Sequence, residues 1–137
     1  MTLTNHTPHP LNLPEGMTVA HCQTMADVRA HIDALDAQIV PLIAQRSGYV
    51  AQAARIKQSA SQVVDQARIE FIVSRVAAQA EAMGAPPQVL AATYRAMIAA
   101  FIEFERGEFA RLRATVDPHA ATPAAPVTPC SPCGEPS

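Results

Sequence analysis

The chain has few of the residues that form tight turns between strands. Among its 137 residues there are five glycines, and only Gly48, Gly84 and Gly107 lie in the central part of the sequence. It has no Asn-Gly or Asp-Gly pair, and no stretch alternates polar and apolar residues as a half-buried strand does. Because this central part is rich in Ala, Leu, Ile and Val, we expect an all-α domain.

Several kinds of partner and location are disfavoured by what the chain lacks. No apolar run approaches the roughly 18 residues of a membrane span. The N-terminus has neither the basic start nor the apolar stretch of a secretory signal, so we expect a cytoplasmic location. A net charge of −2 produces no field that would attract nucleic acid or an anionic membrane. Cys130 and Cys133 have no further Cys or His pair near them, so no metal site is expected.

Composition divides the chain into three parts. Residues 1–23 contain scattered prolines and histidines without periodicity, and we expect them to be disordered. Residues 24–113 carry the helical pattern. Residues 114–137 are rich in Pro, Ala and Thr and are expected to form a disordered tail.

The first predicted helix is very long. Thr24 is a good N-cap with Asp27 in the first turn, and apolar residues then recur at three- and four-residue steps until the polar stretch at residues 58–61. About 33 residues correspond to roughly 50 Å of helix. Pro41 falls inside this segment, and we expect it to bend the helix rather than break it.

Two shorter helices follow. The second is predicted to begin after Asp65 as N-cap and to end at Gly84, a residue suited to the position after a helix. The third opens with Pro86 and Pro87 in its first turn and continues to Leu112. Two shorter helices cannot cover a 50 Å helix in a domain whose radius of gyration should be near 12 Å. We therefore expect three-helix protomers that form an intertwined homodimeric bundle.

Three charged residues lie where the pattern calls for apolar ones. Arg46 falls on the stripe of the first helix, and Lys57, the chain's single lysine, lies eleven residues later on the same face. Glu105 occupies the apolar side of the third helix. A buried Arg46–Glu105 salt bridge would account for two of them, and a dianionic ligand that pairs the cations is the alternative. Arg29 lies too far along the helix to reach the same ligand within one chain.

These residues resemble the all-helical chorismate mutase family from Thr24 to about Arg113. The stretch ADVRAHIDALDAQIVPLIAQRSGYVAQAARIK looks like the long first helix of that family, with Arg29, Arg46 and Lys57 at its characteristic spacing. Within the family, the R-x-x-Y-V segment and the length of the connection to the second helix are most similar to the small isochorismate-pyruvate lyases. The resemblance implies an intertwined homodimer with two sites, a small-molecule substrate and no cofactor.

The resemblance also implies roles for single residues. Arg46, with Arg29 of the partner subunit, would hold the two substrate carboxylates. Lys57 would donate to the enolpyruvyl ether oxygen as the C–O bond breaks. Glu105 stands where the family usually has Gln, and because a carboxylate cannot donate to that oxygen, we expect it to be protonated in the working enzyme.

Two positions depart from the mutase pattern. Ile69 stands where mutases have a glutamate that contacts the ring hydroxyl, and Phe101 stands where a small hydroxyl-bearing residue is expected. Both changes remove polar contacts to the ring hydroxyl of chorismate, and both resemble the residues that the lyases have at these positions. Asp65 and Arg68 are further candidates near the substrate, with helix capping and surface charge as the alternative.

Three functions remain open at this point. The arginine–lysine framework suffices for a chorismate mutase, which rearranges chorismate to prephenate. The two departures favour an isochorismate-pyruvate lyase, which yields salicylate and pyruvate. A non-catalytic helical dimerisation module is the third possibility.

Overall fold

Three α-helices form the described part of the protein. The structure, a computed structural model, describes residues 10–116. Helix α1 spans Met25–Ile56, α2 spans Gln66–Ala82 and α3 spans Pro87–Val116, with a short 3₁₀ turn, Ala60–Gln62, between α1 and α2. The described residues contain no strand, which confirms the predicted all-helical class.

Side chains cap the first two helices as the sequence predicts. The Thr24 hydroxyl accepts from the backbone N–H of Asp27, and the Asp27 carboxylate accepts from the backbone N–H of Thr24, both at 3.1 Å. These hydrogen bonds with Thr24 hold the pKa of Asp27 below its ordinary value. Asp65 caps α2 by accepting from the backbone N–H of Arg68 at 2.9 Å. Gly84 follows α2 with a φ of 72°, a conformation that glycine adopts without strain.

Helix α1 is continuous over 32 residues and includes Pro41 without an interruption. At 1.5 Å per residue it is about 48 Å long. Helix α3 continues through Val116, three residues into the segment predicted as a tail. The boundaries of the three predicted parts of the chain remain predictions.

The core of the chain lies where α1 and α2 pack against α3. Its buried apolar residues come from the second half of the described chain and from the C-terminal turns of α1: Ala54, Val63, Val73, Val76, Ala80 and Ile98. On the surface, the two terminal guanidinium nitrogens of Arg95, Nη1 and Nη2, donate to the two carboxylate oxygens of Glu70, at 2.9 and 3.0 Å, and connect α3 to α2.

The N-terminal half of α1 is poorly covered by the rest of the described chain, although residues 18–20 and Cys22 line a shallow pocket beside it. Ile32, Leu35, Ile39 and Leu42, which form its predicted apolar stripe, are between 48% and 64% exposed. None of the described helices is both long and apolar enough to cross a membrane.

The segment before α1 contacts the turn between α2 and α3. The backbone N–H of Asn12 donates to the carbonyl of Met83 at 2.9 Å. A Cβ atom on Gly84 would lie 3.1 Å from the carbonyl oxygen of Pro10, so this approach favours glycine there. Disorder of residues 1–23 stays a prediction; residues 1–9 and the predicted tail beyond Val116, with Cys130 and Cys133, lie outside the described residues.

Candidate active site

A cavity of about 340 Å³ lies between the three helices. Its walls come from the C-terminal half of α1, the start of α2 and the middle of α3. Seven of the eight residues proposed from the sequence line it, all except Arg29. The cavity therefore brings together groups that are up to 59 residues apart in the chain, from Arg46 to Glu105.

Lys57 and Glu105 form an ion pair inside this cavity. The ammonium of Lys57 donates to the Glu105 carboxylate, with Nζ and Oε1 2.5 Å apart. Glu105 is 6% exposed, and no other charged residue among those described is buried to this degree. The Lys57 side chain is 25% exposed. The Arg46–Glu105 salt bridge, one of the two possibilities left open by the sequence, is not formed, because the carboxylate of Glu105 pairs with Lys57. The other possibility, a dianionic ligand that pairs the cations, stays a prediction.

Arg46 is held differently. Its guanidinium carbon lies 4.8 Å from the centroid of the Phe101 ring. Its Nη1 atom is buried and has no hydrogen-bond partner among the described residues. An aromatic face attracts the cation without using its N–H groups, which lie in the guanidinium plane. Arg46 is thus fixed by Phe101 while at least one donor remains available to a ligand with an acceptor.

The start of α2 forms another wall of the cavity. One carboxylate oxygen of Asp65 caps the helix, as described above, and Arg68 lies with its guanidinium carbon 5.4 Å from the centroid of the Phe71 ring. Ile69 is half-buried and presents an apolar side chain. The next residue, Glu70, does not line the cavity.

Glu70 is instead engaged by Arg95 on the surface. The hydrogen bonds and the charge of Arg95 hold the pKa of Glu70 below its ordinary value of 4.5. Glu70 therefore does not supply the carboxylate that is missing at Ile69, because it forms the contact between α2 and α3 with Arg95.

Arg29 lies apart from the other candidates in this chain. It is exposed, in the second turn of α1, and does not line the cavity. Seventeen residues separate it from Arg46, which corresponds to about 25 Å along the helix axis. One chain therefore does not bring Arg29 to the site.

Tyr49 lines the cavity but was not among the candidates. It follows Arg46 by three residues and precedes Ala53 by four, so its position on the same helix face could have identified it. It is 65% exposed and supplies a hydroxyl at the edge of the cavity.

The cavity suits an organic anion with apolar surface. Arg46 and Lys57 supply cationic donors, and Val50, Ile72 and Ile98 supply apolar walls. Within residues 10–116 there is no group of three or more His, Cys, Asp and Glu side chains that could hold a metal ion.

Comparison with protein families gives one result that bears on this site. The family model described as chorismate mutase type II matches residues 28–106, which is more than half of the chain and contains every candidate residue from Arg29 to Glu105. A search of curated proteins returns no match.

Proposed function

The chain belongs to the chorismate mutase type II family, and on this premise we propose that it catalyses the rearrangement of chorismate to prephenate. The observation that carries the proposal is the cavity in which Arg46 has a buried donor without a partner among residues 10–116, and which Lys57 also lines. Chorismate carries two carboxylates and an ether oxygen, and these groups supply acceptors for such donors.

In this proposal Arg46 binds one substrate carboxylate. The guanidinium fork matches a carboxylate with two parallel hydrogen bonds, and the Phe101 ring beneath it limits its rotation. Holding the extended substrate in a compact shape brings the reacting carbons together, which lowers the barrier by removing conformational freedom in advance. The rearrangement itself needs no nucleophile.

Lys57 stabilises the charge that develops on the ether oxygen as the C–O bond breaks. Its ammonium has three N–H donors and uses one of them for Glu105, so two remain for the substrate. One well-placed donor of this kind contributes about 3 kcal/mol to lowering the barrier.

Glu105 has two possible roles. As a carboxylate it holds the Lys57 ammonium in place, which agrees with the ion pair between the two side chains. As a neutral carboxylic acid it donates to the ether oxygen itself, the role that its position in the family implies. The dependence of the rate on pH separates the two roles, as developed in the Discussion.

We propose further that the site is completed by a second copy of the chain, with Arg29 of the partner subunit binding the second carboxylate. Two observations support this. Arg29 is remote from the cavity of its own chain, and the apolar stripe of α1 around Leu35 and Ile39 is about half exposed. A second protomer wrapped around α1 would bury that stripe and bring the missing cation to the site.

Mixing two inactive variants tests this arrangement. Arg29→Ala and Lys57→Ala dimers should each be nearly inactive, but after unfolding together and refolding, mixed dimers regain one intact site. Random pairing then restores about a quarter of the wild-type activity. A mixture that stays inactive, or a wild-type protein that is monomeric by light scattering, would contradict the proposal.

An isochorismate-pyruvate lyase is the second candidate. Ile69 on α2 and Phe101 on α3 line the cavity with apolar side chains, and Glu70 is engaged by Arg95, so none of these three positions offers a polar contact to chorismate's hydroxyl. Isochorismate carries its hydroxyl on a different ring carbon and would not need that contact.

One assay decides among the candidates. Purified protein is incubated separately with chorismate and with isochorismate, and prephenate is measured against salicylate plus pyruvate. Prephenate formation from chorismate supports the mutase, and faster formation of salicylate and pyruvate from isochorismate supports the lyase. If neither product forms at any pH, the result favours a non-catalytic dimerisation module.

A further inference from the structure

Helix α3 contacts Lys57 at both ends of that residue. Glu105 accepts from the side-chain ammonium, as described above. Two turns further along α3, the Nη2 atom of Arg113 donates to the backbone carbonyl of Lys57 at 3.2 Å and to that of Gln58 at 2.9 Å. Glu105 and Arg113 are eight residues apart, which corresponds to about 12 Å along the axis of α3.

The backbone at Lys57 needs such a contact. Lys57 is the C-cap of α1, where the chain leaves the helix with a φ of −62° and a ψ of 138°. The last carbonyls of a helix have no intrahelical partner, and a cation at this end also interacts favourably with the helix dipole. The N–H of Gln58 donates to the side chain of Gln62 at 2.9 Å, so Arg113 is a second restraint on this backbone. Without Arg113, water would satisfy the two carbonyls but would not hold them in one position, and the peptide group after Lys57 would gain freedom to reorient.

Arg113 is itself held in place. Its guanidinium carbon lies 4.8 Å from the centroid of the Phe109 ring, one turn back along α3 and midway between Glu105 and Arg113. The stacking leaves the in-plane N–H groups free to donate to the two carbonyls. Phe109 thus orients Arg113 as Phe101 orients Arg46.

We propose that Arg113 is a positioning residue for Lys57, which fixes the backbone at the end of α1 so that the ammonium stays at Glu105 and faces the cavity. The kinetic consequence rests on the proposed function, because it assigns Lys57 to the reacting oxygen. The structural consequence, an ammonium held in one place, does not.

The structural consequence can be measured directly because Lys57 is the single lysine of the chain. We expect acetic anhydride at limiting concentration to acetylate Lys57 severalfold faster in Arg113→Ala than in the wild type, followed by mass spectrometry of the Lys57 peptide. Arg111→Ala is the matched control, because it removes the same charge two residues away but from a pair with Glu108 on the same helix. Acetylation of Arg113→Ala at the wild-type rate overturns the proposal.

The kinetic consequence is measured on whichever substrate the protein turns over. Arg113→Ala should lower kcat about tenfold, with a smaller change in KM, since a displaced donor costs part of what a missing donor costs. In a Lys57→Ala background the same substitution should have no further effect on kcat. An equal loss in both backgrounds would assign Arg113 a general structural role and overturn the proposal.

The test still decides if the variant does not fold or if the wild type is inactive. If the alanine variant does not fold by circular dichroism, Arg113→Gln replaces it, because the amide can still donate to one carbonyl and adds no second lysine. This variant should acetylate at a rate between those of the wild type and a fully released lysine, and a wild-type rate again counts against the proposal. If the wild type turns over neither substrate, the proposed function fails, and the acetylation comparison alone decides the role of Arg113.

Discussion

Replacing Arg46 by methionine should make the protein more stable and nearly inactive. The buried Nη1 atom has no hydrogen-bond partner in the described chain, and such an orphaned donor costs about 1–3 kcal/mol. Methionine removes that cost and fills similar space, but it also removes the stacking on Phe101, which contributes about 0.5–1 kcal/mol. The difference predicts that the free energy of unfolding rises by about 1 kcal/mol.

Activity should change in the opposite direction. A lost pair of charge-assisted hydrogen bonds to a carboxylate is worth about 3 kcal/mol, or roughly a hundredfold in kcat/KM. Urea unfolding gives the stability, and steady-state kinetics give kcat/KM. Arg55→Met, an exposed position on the same helix, is the control and should change neither quantity.

The combination of the two results is what tests the reasoning. A less stable Arg46→Met protein with normal activity would show that Arg46 is a structural residue. Its Nη1 atom would then have a hydrogen-bond partner outside the described residues. Higher stability without any wild-type activity would instead fit a non-catalytic dimer, in which an unpaired buried cation brings only a cost.

Three other outcomes follow from the site and its surroundings. If Glu105 donates as a neutral acid, the rate should fall as pH rises and Glu105→Gln should flatten the profile; a wild-type rate that climbs steadily from about pH 5 to 8 rules this role out. Phe101→Leu should raise KM about two- to fivefold by releasing Arg46, whereas Phe101→Tyr keeps the ring face and should leave KM unchanged; equal values for both variants would refute this. Arg95 lowers the pKa of Glu70, so their ion pair stabilises the fold above pH 4.5, and this stabilisation is lost as the pH falls through the lowered pKa of Glu70. Glu70→Gln should therefore reduce the drop in the urea midpoint that acid causes in the wild type. An unchanged drop would show that the ion pair contributes nothing to stability.

The helix ends could be predicted because their chemistry is local. Thr24 with Asp27, Asp65 before α2 and Gly84 after it act within one turn of the chain, and the structure has each of them in the predicted role. The extent of α3 beyond Leu112 was not predicted, since no apolar periodicity continues there and only Pro118 marks an end. The periodicity of apolar residues identifies a helix more reliably than it identifies the residue at which the helix ends.

The site could be predicted in its members but not in its pairings. The eleven-residue spacing places Arg46 and Lys57 on one face of α1, and both line the cavity. Which of them meets Glu105 depends on how far α3 is shifted along α1, and no local pattern contains that register. Arg113 was missed for the same reason, because its partners are backbone carbonyls 55 and 56 residues away.

The charges around the cavity favour the proposal that a second chain helps to bind the substrate. Three cations, Arg46, Lys57 and Arg68, face two acidic side chains, Asp65 and Glu105, so a single positive charge is uncompensated when both acids are ionised. A substrate with two carboxylates brings one negative charge more than this wall can neutralise, and burying an unpaired charge is costly.

Two features of the proposal remove that excess. Arg29 of the partner subunit would add a cation, and a proton on Glu105 would remove an anion. The added arginine and the added proton change the net charge of the site equally, but they act at different positions. The proton lies on Glu105 beside Lys57, whereas only the arginine supplies a second guanidinium group that can bind a carboxylate. In the proposed arrangement, dimer formation would determine whether the dianion is bound at both carboxylates, whereas a neutral Glu105 would act on the bond that breaks.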